Sequence, residues 1–482
     1  MTWINIVTLI AYTLNIIFAM IVIFASRKAP SSTWAWLFVL FFLPIIGFFL
    51  YIFLGRNLHK KNFVRWKMMQ QDQTITVFNE QQQALRDETF QFPNHITKNY
   101  KRLVQMNVDL NHAILSNHNE TTLYATGDEK FKALLADIEQ ATKHIHIQYY
   151  IFKLDIIGEQ IHQAIIKKAK EGVKVRVIFD DLGSRKLKIK HFKQLLDAGG
   201  EVQAYFPSLF ALLNPRINFR NHRKLVIIDG VIGYIGGFNV GKEYAGLDEK
   251  VGFWRDLHVR IVGNAVHSLQ AHFLFDWHQA ANTEYNEYDD AYYPQANVQN
   301  ITPIQIVSSG PDTDYESIKE SYIRMIMSAR KYIYIQTPYF VPDAAFLTAI
   351  QIAAASGVEV KVMTPAKPDH MFIYGANSYY TGELMEHGGT ALRYTKGFLH
   401  SKMMVIDDEI CTIGTTNIDI RSFSLNFEIN AVIYDEQVAK QCRAIFEEDE
   451  QYAFEMTTER YEKRPLWTKI REAFSRLISP IL

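Results

Sequence analysis

Two long apolar stretches open the chain, and beyond residue 60 the pattern changes to short alternating runs separated by helical periods. From Ile4 to Ala25 the only strongly polar side chains are Asn5 and Asn15; Arg27-Lys28-Ala29-Pro30 follows, and a second apolar run extends from Thr33 to Leu54. Each run is about twenty residues, which at ~1.5 Å per residue matches a hydrocarbon layer of roughly 30 Å. The first lacks a basic leading region and is followed at once by a second, so it does not read as a cleaved signal peptide. The pattern predicts two transmembrane helices with a short loop over 1–58; a signal-anchor followed by a buried helix is the plainer alternative. At the other end, Trp467, Ile470, Phe474, Leu477 and Ile478 recur at helical spacing, with Lys469, Arg471 and Arg476 largely elsewhere, predicting a C-terminal amphipathic helix over 459–482. Such a helix suits a membrane interface or packing on its own domain.

Between these ends the chain alternates strands and helices, and it repeats itself. Ala141-Thr142-Lys143-His144-Ile145-His146-Ile147-Gln148 answers Ala329-Arg330-Lys331-Tyr332-Ile333-Tyr334-Ile335-Gln336. In both copies an amphipathic helix follows, then a glycine (Gly172, Gly357) and a strand of alternating valines. Further on, His222-Arg223-Lys224 with Asp229 returns as His400-Ser401-Lys402 with Asp407. Seven residues after each aspartate come Gly236-Gly237-Phe238-Asn239 and Gly414-Thr415-Thr416-Asn417. The expected organisation is a juxtamembrane connecting region over 59–120, a first α/β lobe over 121–284, a linker over 285–300 and a second lobe over 301–458.

Composition narrows the function. Lys plus Arg number 51 and Asp plus Glu number 51, so there is no basic surplus for nucleic acid, and an anionic substrate must be met by local charge. The two cysteines, Cys411 and Cys442, support neither a disulfide framework nor a thiolate metal site. Arg56, Lys60, Lys61, Arg65 and Lys67 follow the second apolar run and outweigh Arg27 and Lys28 in the loop. That imbalance predicts a cytoplasmic location for both termini and the lobes. The apolar connection from Tyr205 to Asn214 is expected to lie at the membrane surface or to form a buried helix.

The repeated polar cluster carries the chemistry. On a strand, residues i and i+2 share a face, so His222 and Lys224 are expected to project together, as are His400 and Lys402. Two imidazoles can divide a phosphodiester transfer, one attacking phosphorus and the other protonating the departing alcohol. Lys224, Lys402, Asn239 and Asn417 can surround the non-bridging oxygens. That leaves no role for a metal or cofactor, and neither a zinc spacing nor a Gly-rich nucleotide loop is found. Asp256 and Glu428 lie at comparable distances after the two histidines and can orient an imidazole. Asp229 and Asp407 complete the catalytic motif, with a structural role the better fit because strand separates them from the lysines.

The doubled His-x-Lys-x4-Asp pattern resembles the signature of the phospholipase D superfamily. Trp36, Pro44-Ile45-Ile46-Gly47, Trp254-Arg255-Asp256, Gly397-Phe398-Leu399-His400 and Asn417-Ile418-Asp419-Ile420-Arg421-Ser422-Phe423 narrow the resemblance to bacterial cardiolipin synthases. Thr415 in place of a second Gly237 is a departure common in that family. The resemblance implies two duplicated lobes of mixed β-sheets flanked by helices, with the active site at their interface. It implies an enzyme of the bacterial plasma membrane that joins two phosphatidylglycerol molecules into cardiolipin and glycerol through a phosphohistidine. Its partners would be phospholipids and the bilayer, with no nucleic acid, and with self-association into a homo-oligomer left open. By analogy His222 attacks and His400 serves as acid, then base. The motifs alone also admit a hydrolytic phospholipase D or a transferase using another alcohol.

Overall fold

The computed structural model describes residues 3, 13–14, 16–20, 30–43, 47, 51, 73–207, 219–283, 289–313, 315–367 and 371–479. The chain divides into two compact units, Met1–Arg65 with Phe206–Phe219 and Trp66–Tyr205 with Arg220–Leu482. In the smaller unit a helix runs over Pro30–Phe42. Leu40 and Tyr51 are buried, and the rings of Trp36 and Tyr51 meet edge to face at 5.3 Å. Among the described residues no helix is long and apolar enough to cross a membrane. Most of the run 4–25, most of 33–54 beyond Leu43, the basic stretch 56–67 and residues 208–214 of the apolar connection lie outside the described residues.

The larger unit is α/β and duplicated. One sheet has the strand order Asn119–Tyr124, His258–Gly263, Ile232–Gly236, Leu225–Ile228, His144–Tyr149, Lys174–Asp180, Glu201–Tyr205. The other repeats it as Ile304–Ser309, Asn426–Ile433, Ile410–Gly414, Met403–Ile406, Tyr332–Gln336, Glu359–Pro365, Thr390–Tyr394, extended by Leu115–Ser116 and Ala453–Glu455 at its edges. Both have antiparallel neighbours through the motif strand and parallel pairs after it. The parallel crossovers use the helices Ile156–Lys170 and Ala344–Ala355. Each ends on a glycine in the left-handed region, Gly172 at φ 93° and Gly357 at φ 90°, which other residues would enter only with strain.

The central strands are buried on both faces, and the alternation decides which side chains enter each apolar core. Ile145, Ile147, Val175, Val177, Val226 and Ile228 form the centre of the first core with Ile161 and Ile165 of the crossover helix. The second core joins Ile333, Ile335, Val360, Val362, Met404 and Ile406 to Phe346 and Ile350. Helices Gln73–Arg86 and Lys101–Asn111 close it with Phe78, Leu85, Leu103, Val104 and Val108. Cys411 and Cys442 are buried as free thiols.

Candidate active site

The motif histidines are not on their lobe's own sheet. The short strand Arg220–Asn221 lies parallel to the start of Asn426–Ile433 in the second lobe, with Arg220 opposite Asn426 and Asn221 opposite Phe427. The amide of His222 then donates to the carbonyl of Phe427 at 2.9 Å. In mirror fashion Phe398–Leu399 lies parallel to Trp254–Arg255 of the first lobe, and the amide of His400 donates to the carbonyl of Arg255 at 2.7 Å. Only from residues 225 and 403 does each chain join its own sheet. The expectation that His-x-Lys sits on a regular strand is therefore corrected: each triplet is the link that carries the chain from one lobe to the other.

This register puts each imidazole beside the residue that follows the one accepting its amide, Glu428 after Phe427 and Asp256 after Arg255. His222 Nδ1 lies 2.9 and 3.0 Å from the two Glu428 oxygens, and His400 Nδ1 lies 2.6 Å from Asp256 Oδ2. Both orienting carboxylates are thus the expected residues, and each serves the histidine of the other lobe. An ionised carboxylate only accepts, so Nδ1 of each ring carries a proton and donates it; Nε2 is left to act, as a lone pair in the neutral ring or as a second N–H in the imidazolium. Thr415 donates its hydroxyl to Glu428 Oε2 at 2.5 Å, and Asn426 Nδ2 donates to Oε1 at 3.2 Å. Asp256 takes the Leu257 amide at 2.8 Å instead. A Cβ at Gly237, the counterpart of Thr415, would fall 1.9 Å from Asp256 Oδ1, so the glycine there leaves room for the carboxylate. The sequence offered no signal for the Thr415 contact beyond its departure from the repeat.

The lysines stand behind the histidines. Lys224 Nζ donates to the carbonyl of His222 at 2.6 Å, and Lys402 Nζ to that of His400 at 2.5 Å. Both lysines are buried. Asn239 and Asn417 line the cleft described below. Asn239 Oδ1 accepts the Ile151 amide at 3.1 Å, whereas Asn417 Oδ1 is buried with no hydrogen-bond partner. Asp229 and Asp407 lie in the turns that end the motif strands, at φ 53° and 56°. Asp229 accepts the amides of Thr142, Lys143 and His144, and Asp407 those of Arg330, Lys331 and Tyr332, all at 2.7–2.9 Å. Their oxygens fasten the motif strand to the neighbouring strand, and they do not line the cleft, in keeping with the structural alternative for these two residues.

Burial sets the protonation states. It pushes the His400 imidazole down to about 3, reinforced by Lys402 and opposed by Asp256. Burial also lowers His222, with Glu428 pulling the other way. Lys224 is brought down to about 7 by burial, against the attraction of Glu428. Burial alone would raise the Glu428 carboxyl, but His222, Lys224 and Thr415 together hold it below the ordinary range.

Both histidines open into one cleft of about 670 Å³. The ring of Tyr150 meets His222 edge-on at 4.9 Å, and that of Trp254 lies 5.1 Å from His400. Arg220, Lys250, Lys367, Lys396 and Arg421 bring positive charge to the walls. None of these five was singled out as a site residue from the sequence; Arg220 and Arg421 stand within a few residues of His222 and Asn417, which is the signal that was there. Tyr149 is in the core accepting from Lys130 at 2.7 Å, and Tyr339 lines the cleft. Among the described residues no group of three His, Cys, Asp or Glu side chains is arranged to hold a metal ion.

Residues 134–277 and 322–450 match the family described as cardiolipin synthase, PLD-like domain, and 13–56 match phospholipase D-nuclease N-terminal. The chain is 48% identical over 471 residues to the major cardiolipin synthase ClsA of Bacillus subtilis (strain 168), covering 98% of each. It is 46% identical over 469 residues to a cardiolipin synthase of Listeria monocytogenes serotype 4b (strain F2365), covering 97% of each. The phosphatidylserine synthase of Haemophilus influenzae Rd KW20 shares the fold, with a TM-score of 0.60 at 14% identity, over 81% of this chain and 100% of that one.

Proposed function

The chain belongs to the phospholipase D-like cardiolipin synthase family, and on that premise we propose that its two-histidine cleft transfers a phosphatidyl group between two phosphatidylglycerol molecules. The observation that carries the mechanism is the pair of imidazoles in one cleft, each with Nδ1 fixed by a carboxylate of the other lobe. One Nε2 attacks the phosphorus of the first lipid; the bond from phosphorus to the glycerol headgroup breaks, and the second imidazolium gives its proton to the departing oxygen. A headgroup hydroxyl of the second lipid then attacks phosphorus, returns a proton to that same histidine and breaks the phosphorus–nitrogen bond. Cardiolipin and glycerol leave, and both rings return to their starting states. Asn239, Asn417 and the cationic walls stabilise charge on the non-bridging oxygens, with Lys224 and Lys402 adding their field from behind.

The family resemblance gives the attack to His222. Burial holds both rings below the ordinary imidazole range, so either can rest neutral as the nucleophile, and the reverse assignment gives the attack to His400. A donor lipid with a p-nitrophenol leaving group separates the two. The variant that lacks only the acid still releases one equivalent of nitrophenol; the variant that lacks the nucleophile releases none. With ordinary phosphatidylglycerol in detergent, His222→Ala and His400→Ala each lower cardiolipin and glycerol formation by about 10³-fold or more while melting like the parent. Phosphatidic acid in place of cardiolipin from the parent identifies a hydrolase and overturns the transfer.

The runs 4–25 and 33–54 span the plasma membrane, leaving the lobes on the cytoplasmic side. Their length and the charge imbalance across the loop support this.

A further inference from the structure

The last helix, Leu466–Ile478, is folded inside out with respect to a helix that serves its own domain. At about 100° per residue, Leu466, Trp467, Ile470, Phe474 and Leu477 share one face, and Glu472, Ser475 and Ser479 the other. It is the polar face that is buried: Glu472 and Ser475 are covered, Glu472 is paired with Arg464, and the Ser479 hydroxyl lies 3.1 Å from that of Tyr380. The seat is the helix Met371–Met385, where Gly375 allows the close approach; a Cβ there would stand 2.5 Å from Ser475 Oγ. The apolar face points outward, with Trp467 and Leu477 each 75% exposed and Leu466, Ile470 and Phe474 also exposed.

Two further observations identify what covers that face. The helix's only acid is the buried Glu472, whereas Lys469 and Arg476 are exposed, so its outer surface combines large apolar groups with positive charge alone. Trp467 adds an amphipathic ring of the kind that settles at a lipid–water boundary. The strip also runs to the mouth of the cleft. Phe474 meets the exposed ring of Phe372 at 6.3 Å, and the next residue, Ile373, lines the cleft together with Ser479 at the helix end. We infer that the outer face of Leu466–Ile478 is a docking surface for an anionic lipid bilayer and holds the cleft mouth against it. This rests on the phospholipid reading of the cleft; what it adds is a contact made by the catalytic part itself, separate from any N-terminal span. The bilayer receives the apolar side chains, while Lys469 and Arg476 meet its headgroups.

The test uses the full chain in vesicles of phosphatidylglycerol and phosphatidylcholine, nitroxide-labelled at Ile470→Cys, Leu477→Cys or, as the exposed reference, Lys463→Cys. The natural cysteines are buried and do not compete for label. The labels at 470 and 477 are expected to collide with dissolved oxygen in preference to a water-soluble nickel complex, and the label at 463 to do the reverse. Equal access from water at all three positions overturns the inference. So does shielding from both reagents with spin–spin broadening, which marks a second copy of the chain on this face. In parallel, Ile470→Ser/Phe474→Ser/Leu477→Ser is expected to lower turnover on vesicles about tenfold and to leave turnover in detergent micelles within about twofold, with unchanged melting. Loss in micelles to the same extent also overturns it. Labels that enter the bilayer in a protein that makes no cardiolipin uphold the docking face and remove the catalytic reading.

Discussion

At the scale of single residues, the cleft places two ionisable side chains far from their ordinary behaviour. Burial brings Lys224 down to about 7, so its charge is expected to titrate near neutrality. Since kcat/KM reports the free enzyme, it is expected to fall as pH rises through about 7, with a limb that Lys224→Met abolishes while lowering the plateau. Stability moves with pH in a definite sense. His400 is lowered from 6.5 to about 3, so between those values the unfolded chain binds the extra proton. Folded stability is therefore present above 6.5 and declines as pH falls toward 3, by a few kcal/mol at order of magnitude. Denaturant midpoints at pH 7 and 4 measure it, and His400→Gln should flatten the decline. The histidines, lysines, asparagines and motif aspartates were legible because the repeat marks each one twice; Asp256 and Glu428 were picked out only by their comparable distances after the histidines. Which carboxylate meets which histidine was not. Chain spacing is silent on a contact between residues 206 positions apart, and comparable offsets in the two copies suggest neither pairing over the other.

At the scale of elements, the repeat predicted strand, helix, glycine and strand in each lobe, and these formed with matching sheet orders. Period-two valines and a helix-ending glycine are local signals, which is why they could be read. The departure of 220–224 and 398–402 from a regular strand was hidden because pairing of a two-residue strand is decided by the neighbour that receives it. Asp229 and Asp407 show how a motif can hold an element in position without touching substrate. Each accepts three backbone amides where a central strand begins, largely exposed ones at Asp229 and more covered ones at Asp407, so Asp229→Ala is expected to cost about 1 kcal/mol by denaturant unfolding and Asp407→Ala about 2 kcal/mol. Near Asp256 the expected effect is of another kind. Gly237→Ala drives a methyl into the carboxylate that orients His400, and turnover should fall about 10–100-fold with little change in substrate binding. Thr415→Val, which removes one donor from Glu428, should fall by less.

At the scale of the whole molecule, the charge balance of 51 to 51 shows why local arrangement matters: five cations gather on the cleft walls of a protein with no net charge. The proposed topology gives a direct expectation. A cysteine at position 29 should react with an impermeant maleimide on intact cells, and one at position 60 only after permeabilisation; the reverse pattern would invert the assignment. The crossed pairing of His222 with Glu428 and His400 with Asp256 has the reciprocity of an isologous contact, in which site i of one half meets site j of the other and j meets i. Two identical half-length chains related by a two-fold axis would make the same contact. Joining them in one polypeptide releases the halves from sameness, and the traces of that release are visible: glutamate against aspartate, threonine against glycine. A symmetric dimer must present identical histidines to unlike steps, whereas a fused chain can tune one ring for attack and the other for proton transfer.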